Sequence, residues 1–234
     1  MRSYSFICGC GHSGTSLLAN MFASHPALYI PLIETNCFLV RAEARSRWKA
    51  LRAEARASKL KHFAEKTPRH VRRISLIRRL VPDARFILMV RDGRDVAASF
   101  IRRKGSAEIG ARRWLADNRL VRAEEGAPDV FVLRYEDLIA DPEGALRGIC
   151  EFTGFDFASE MLRFHETERL WFGVPELRRG TGEDGVQHAL LRNWQINQPI
   201  FDGRGSWRDL LGPEDLALFD EDEARQMLAY FGYV

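Results

Sequence analysis

The sequence predicts an α/β fold in three layers, with helices on both faces of a central parallel sheet. Two observations carry this expectation. Short apolar runs alternate along the chain with stretches of helical spacing, and the first of these runs opens into a dense glycine turn. The run Ser5–Cys10 leads into that turn; Leu17, Leu18, Met21 and Phe22 then recur with helical spacing until Ser24-His25-Pro26 stops them, giving strand, glycine loop and helix. Val71, Ile74, Ile77 and Leu80 predict a further helix. The segment Ala84–Val90, apolar without a break over its last five residues, reads as a central strand buried on both faces. Ile109, Trp114, Leu115 and Leu120 predict a helix ahead of a third strand at Val130–Leu133, and Leu146, Ile149 and Phe152 predict one behind it. From Trp171 to Gln187 the chain is glycine-rich and aperiodic, as a long surface loop able to close over a site would be. Phe219, Met227, Leu228 and Tyr230 predict a closing helix, and residues 1–234 are expected to form one domain.

Composition narrows the class. Hydrophobic residues make up 46% of the 234 and charged residues 29%, ordinary for a globular protein and far from disordered, collagen-like or disulfide-scaffold chains. No run approaches the roughly 18 apolar residues that cross a bilayer, and Tyr4-Ser5-Phe6-Ile7-Cys8 does not read as a leader, so a cytoplasmic address with no membrane span is expected. Cys8, Cys10, Cys37 and Cys150 are too few and too unevenly spaced for a disulfide framework or a four-ligand zinc site. They read as reduced core thiols, and no metal is expected. The net charge of +3 hides an asymmetry: Arg41 to Leu80 holds 14 Lys or Arg against three Glu, whereas the residues from Trp207 onward hold seven Asp or Glu against two Arg. A basic stretch attracts anionic ligands or nucleic acid, but a solvated helix face explains it more often, and no nucleic-acid motif accompanies this one.

The segment Gly9-Cys10-Gly11-His12-Ser13-Gly14-Thr15-Ser16 follows the first strand directly, at the carboxyl edge where open parallel sheets bind ligands. Its glycines let consecutive N–H groups converge, and the helix behind adds its positive end, so a tetrahedral oxyanion is favoured there. The spacing fits the phosphate-binding loop G-x-x-x-x-G-K-[ST] of P-loop folds, except that Thr15 stands where the lysine belongs. That lysine grips the β- and γ-phosphates of a nucleoside triphosphate. Without it, a less charged terminal group such as a sulfonate is the better occupant, held by amides and by the Thr15 and Ser16 hydroxyls.

With Gly11-His12-Ser13-Gly14-Thr15-Ser16, Glu65-Lys66-Thr67-Pro68, and Phe86–Val90 leading through Arg91-Asp92-Gly93-Arg94-Asp95 to Ser99, the sequence resembles the PAPS-dependent sulfotransferases, PAPS being 3′-phosphoadenosine 5′-phosphosulfate. Tyr135-Glu136-Asp137-Leu138-Ile139-Ala140-Asp141-Pro142 and Phe231-Gly232-Tyr233 extend the likeness across most of the chain, in particular to the bacterial and protein-tyrosine branches.

The resemblance implies PAPS as cofactor, adenosine 3′,5′-bisphosphate (PAP) as its product, and in-line transfer of a sulfonate to a hydroxyl, or less favourably an amine. Gly11, His12, Ser13, Gly14, Thr15 and Ser16 are then the phosphosulfate loop. His12 stands where relatives carry Lys or Arg to support the leaving phosphate, so it is expected to serve as a cation or hydrogen-bond donor. Arg91 and Ser99 correspond to an arginine and a serine that bind the 3′-phosphate, with Gly93 replacing the usual proline and loosening the turn. Glu34, expected in an apolar setting of Leu32, Ile33 and Phe38, matches a catalytic glutamate and is assigned as general base. Lys66 matches the lysine that reaches the bridging oxygen or the sulfonate. Tyr135 corresponds to a nucleotide contact, while Arg192, Gln195 and Arg204 fall where relatives bring late contacts to the cofactor or transition state. Asp92 and Asp95 read as cap and ion-pair partners. The acceptor, a small molecule, glycan or peptide, is not encoded in any motif; arginine-rich segments hint at an anionic one. A nucleotide kinase-like phosphotransferase and a non-catalytic nucleotide- or RNA-binding module are the alternatives.

Overall fold

The computed structural model describes residues 3–173, 176–181 and 185–233, without the side chains of residues 103 and 104. Five parallel strands, β1 (Tyr4–Gly9), β2 (Leu28–Tyr29), β3 (His62–Lys66), β4 (Ala84–Val90) and β5 (Val130–Arg134), form one sheet in the order β2-β3-β1-β4-β5. Around them lie α1 (Thr15–Ala23), α2 (Ala44–Ala57), α3 (Ile74–Leu80), α4 (Gly93–Lys104), α5 (Ala107–Glu124), α6 (Tyr135–Ala140), α7 (Pro142–Thr153), α8 (Gly185–Ile196), α9 (Pro213–Ala217) and α10 (Asp222–Tyr230). The two-residue period of a strand divides the core into two layers. Phe6, Cys8, Phe86, Leu88 and Val90 face a cluster containing Trp48, Ile77, Trp114 and Met227. Ile7, Ile87 and Met89 face the opposite cluster, containing Leu18, Phe22, Ile149 and Trp171. The three-layer expectation therefore holds. Among the described residues no helix is long and apolar enough to cross a membrane.

The strands at residues 4–9, 84–90 and 130–134 lie where the apolar runs put them, but β2 and β3 carry no such signal. His62-Phe63-Ala64-Glu65-Lys66 is buried at every residue although three of its side chains are titratable. The basic stretch contains α2, which buries only Ala44, Trp48, Leu51 and Ala55 and turns its Arg and Lys residues to solvent. Other expectations need correction. Ile109 and Leu120 of α5 are exposed; Trp114 is buried as expected, and Val121 joins it. The last helix begins at Asp222, with Phe219 ahead of it and Tyr230 exposed. The segment from Trp171 is irregular through 173 and over 176–181, but α8 already starts at Gly185; residues 174–175 and 182–184 lie outside the described residues. All four cysteines are buried and unpaired, and burial pushes the Cys37 thiol up to about 12 and that of Cys150 to about 11.

Gly93 also has a packing role. A Cβ at this position would lie 2.6 Å from Trp114 Cδ2 and 2.8 Å from Phe219 Cε1, so the glycine is there to admit these rings against the start of α4. Asp92 caps that helix, accepting from Arg94 N–H at 2.9 Å, and Trp114 Nε1 donates to the Arg91 carbonyl at 2.9 Å. Gly93→Ala overpacks a closed site and is expected to cost about 2 kcal/mol, read as a lower urea midpoint with unchanged slope. An unchanged midpoint would show that Trp114 moves aside freely.

Candidate functional site

The glycine loop leaves β1 at the carboxyl edge of the sheet and ends on α1. Gly14, at φ 87°, caps the helix from the left-handed region, and a Cβ there would sit 2.6 Å from Tyr135 Cδ2, so the loop can run against that ring only as glycine. His12 is also left-handed, at φ 71°. Thr15 and Ser16 are buried at the first turn of α1 with the positive end of the helix beneath them.

On one side of the loop stand Arg91 and Ser99. Arg91 directly follows β4 and Ser99 lies within α4. Arg91 Nη1 donates to the His12 carbonyl at 3.2 Å and Nη2 to the Gly203 carbonyl at 2.5 Å, while its guanidinium lies 4.3 Å over the Tyr135 ring. Asp95, one turn into α4, is 3.7 Å from Arg91 and takes the Gly205 N–H (2.9 Å), the Ser206 hydroxyl (3.0 Å) and the Trp207 N–H (3.1 Å). One short segment thus positions Arg91 and fixes the 203–207 loop that covers it. Ser99 Oγ and His12 Nδ1 share a 2.8 Å hydrogen bond, and the His12 ring packs edge-on against Phe100 at 4.7 Å.

On the other side stand Glu34 and Lys66. Lys66 Nζ donates to Glu34 Oε1 at 2.9 Å, the lysine wholly buried and the carboxylate 35% exposed. Burial pulls the Lys66 ammonium below the ordinary lysine range, Arg192 acts the same way, and Glu34 opposes both. The ammonium also lies 5.0 Å from the Phe172 ring and 5.6 Å from that of Trp171. The setting of Glu34 is therefore ionic and not the apolar one expected, because Ile33 turns outward and is 53% exposed.

Beneath this pair Glu65 gathers three hydrogen bonds in the core. Thr35 Oγ1 donates to its Oε1 at 2.7 Å, Thr67 Oγ1 to the same oxygen at 2.6 Å, and His70 Nδ1 lies 2.9 Å from Oε2. Phe38 N–H donates to His70 Nε2, so the ring's proton sits on Nδ1, facing Glu65. Burial works to raise the Glu65 pKa, but His70 and the two hydroxyls outweigh it and hold the carboxyl below its usual range.

Three cavities share His12 and Arg192 as walls. One adds Gly14, Arg91, Tyr135 and Phe201. A second, of about 200 Å³, adds Gly11, Thr15, Ser16 and Glu34 to Pro68, Phe172 and His188. The third, of about 300 Å³, adds Ser99, Arg102 and His188. The structure thus brings Gly11, His12, Gly14, Thr15, Ser16, Glu34, Arg91, Ser99 and Tyr135 to one cleft, with Lys66 behind Glu34. Ser13 is buried in the loop, and its hydroxyl has no partner. Arg204 is not brought in: it pairs with Asp202 at 2.7 Å on the exposed outer side, and its neighbour Gly203 makes the contact to Arg91. The cleft also takes in Phe172 and His188, which no motif marked: Phe172 lies in the aperiodic, glycine-rich segment and His188 just beyond it, in α8. His62 lies in another cavity, with Lys61, Asp83 and Arg85, at the opposite edge of the sheet.

The cleft offers donors to an anionic ligand. Arg91 Nε is buried without a partner, as is Ser13 Oγ, and a Cβ at Gly11 would meet nothing within 4 Å, so the loop is open where a ligand oxygen would approach. Among the described residues no cluster of His, Cys, Asp and Glu could hold a metal ion.

A protein-family model described as the sulfotransferase family matches residues 32–159, a span that begins after the glycine loop. Protein-tyrosine sulfotransferase A of Caenorhabditis elegans is 22% identical over 98% of this chain and 67% of its own length. The chain spans between 36% and 67% of the length of the curated relatives it matches. Among solved structures, the sulfotransferase domain of the Synechococcus PCC 7002 olefin synthase aligns with a TM-score of 0.73 at 20% identity, covering 100% of this chain and 95% of that one. A mouse sulfotransferase complexed with PAP aligns with a TM-score of 0.58 at 17% identity, covering 99% and 89%. At these identities the likeness to solved structures is one of fold.

Glu65 gives this geometry a measurable signature. A carboxyl with a depressed folded pKa adds stability above its unfolded value, about 4.3, and loses it as pH falls through the folded one. Glu65→Gln is therefore expected to cost about 3 kcal/mol at pH 7 by urea unfolding, with the gap to wild type narrowing below about pH 4. A gap that stays constant with pH would show that the carboxylate charge plays no part.

Proposed function

The chain belongs to the sulfotransferase family, and from that premise we propose that it transfers a sulfonate group from PAPS to an acceptor hydroxyl, less favourably an amine. The observation that carries the reading is the meeting, in one cavity, of a glycine loop lacking the triphosphate lysine with a carboxylate that faces a buried ammonium. Bound PAPS would supply a sulfonate whose sulfur exchanges its phosphate oxygen for the acceptor oxygen, the bonding pair staying on the phosphate and the acceptor proton leaving to a base.

Each role falls to a residue of this chain. The amides of residues 11–16 and the hydroxyls of Thr15 and Ser16 would hold the phosphosulfate. Arg91, which lines one cavity with Tyr135, and Ser99 would take the 3′-phosphate, with Tyr135 beside the nucleoside. Glu34 would accept the acceptor proton, being the carboxylate that lines the same cavity as Thr15 and Ser16. Lys66 keeps Glu34 aligned and holds positive charge next to the reacting group. A sulfonate carries one charge, so this transfer is proposed to run without a metal. The buried, unpaired thiols fit a reducing compartment such as the cytoplasm. For the acceptor, a groove of about 260 Å³ runs from Ile33 and Thr35, on either side of Glu34, to Arg47 and Glu54 of α2. The exposed basic face of that helix supports an anionic acceptor, be it a small molecule, glycan or peptide.

Calorimetry tests the cofactor. Wild type is expected to bind PAP, and Arg91→Ala to lose about 10- to 100-fold in affinity, the worth of a charge-assisted phosphate contact. A wild type that ignores PAP would sink the assignment. Glu34→Ala should still bind PAP yet lose about 10²- to 10⁴-fold in sulfonate transfer to whichever hydroxyl compound wild type accepts from a panel of matched neutral and anionic acceptors. Full transfer by Glu34→Ala would move the base elsewhere.

A further inference from the structure

The glycine loop has a charge deficit. Between Gly9 and Ser16 there is no Lys or Arg, yet a terminal phosphate on this loop carries up to two negative charges, more than one helix end offsets. His12 is the loop's own candidate to fill the gap, but its ring is turned away toward α4. Its Nδ1 shares the 2.8 Å hydrogen bond with Ser99 Oγ and its ring packs on Phe100, which puts it in the same group as Arg91. The cation at the other end of the loop comes from far along the chain. Arg192 projects from α8 into all three cavities, its Nη2 3.5 Å from Ser16 Oγ, and it acts electrostatically on Lys66. Its Nη1 lies 3.5 Å from Gln195 Oε1, one turn further along the helix.

Building on the cofactor reading, we propose that the two phosphates of the nucleotide are served by a divided set of cations: Arg192 binds the 5′-phosphate in place of a loop lysine, and His12 belongs with Arg91 and Ser99 at the 3′-phosphate. The reason is reach. Ser16 opens the first turn of α1, where the helix end attracts an anion, and a guanidinium beside that hydroxyl can pair with the same phosphate oxygens through two N–H groups. The His12 imidazole, held to Ser99 through Nδ1, places its ring beside whatever Ser99 touches. The resemblance at the loop implies the opposite assignment for His12, so the two readings separate cleanly.

Adenosine 5′-monophosphate, adenosine 3′-monophosphate and PAP, titrated by calorimetry into wild type, Arg192→Gln, Arg192→Lys and His12→Gln, decide between them. Arg192→Gln is expected to weaken the two 5′-phosphorylated nucleotides about 10- to 100-fold and leave the 3′-monophosphate within about twofold, with Arg192→Lys recovering part of the loss. His12→Gln should weaken only the two 3′-phosphorylated nucleotides. An equal loss across all three ligands for Arg192→Gln would mean a merely structural arginine and overturn the proposal. So would a His12→Gln loss confined to the 5′-phosphorylated pair, or unchanged affinity throughout. A wild type that binds none of the three overturns the cofactor reading itself, whereas normal wild-type binding with an indifferent Arg192→Gln overturns this assignment alone.

Discussion

The Glu34 side of the cleft depends on a carboxylate that never meets solvent. Glu65 is buried in β3, and the hydroxyls of Thr35 and Thr67 and the ring of His70 all point at it. Burying that charge is costly unless every lone pair is satisfied, so the chain folds its own loop down to satisfy them. Thr35 is the residue next to Glu34. Tying it to β3 sets Glu34 over Lys66, the next residue along the strand, whose side chain points to the opposite face of the sheet. Two neighbouring charges on one strand thus divide the work, one fixing the loop from below and the other meeting it above.

The Arg91 side is built on different terms. There the anchors are the carboxylate of Asp95, which collects two backbone N–H groups and a hydroxyl from residues 205–207, and the guanidinium of Arg91, which bonds to the Gly203 carbonyl. A single turn of α4 holds a distant segment by backbone contacts, which depend little on side-chain identity in the 203–207 loop.

Sequence patterning reveals what is repeated and hides what is singular. The sheet was legible in β1, β4 and β5 because their apolar runs report burial on both faces. β3 was not, since Glu65, Lys66 and His62 are buried polar residues whose compensation comes from residues far away in sequence. The loop was legible because glycine spacing encodes a backbone shape, and Gly14 shows that shape as a left-handed cap beneath Tyr135. The packing role of Gly93 is hidden, for no pattern announces that Trp114 and Phe219 occupy its side-chain volume. The setting of Glu34 was misread for a related reason: hydrophobic neighbours in sequence say nothing about which way they turn, and Ile33 turns to solvent. Arg204 came from likeness alone, and its pairing with Asp202 shows that a residue can occupy a matching place while its neighbour makes the contact.

The pairing of Arg91 with Gly203 spans 112 residues, and that of Ser16 with Arg192 spans 176. Contacts this distant close late, because the chain between them must order first. The glycine turn therefore gains its far wall only once the segments carrying Arg192 and Gly203 are in place.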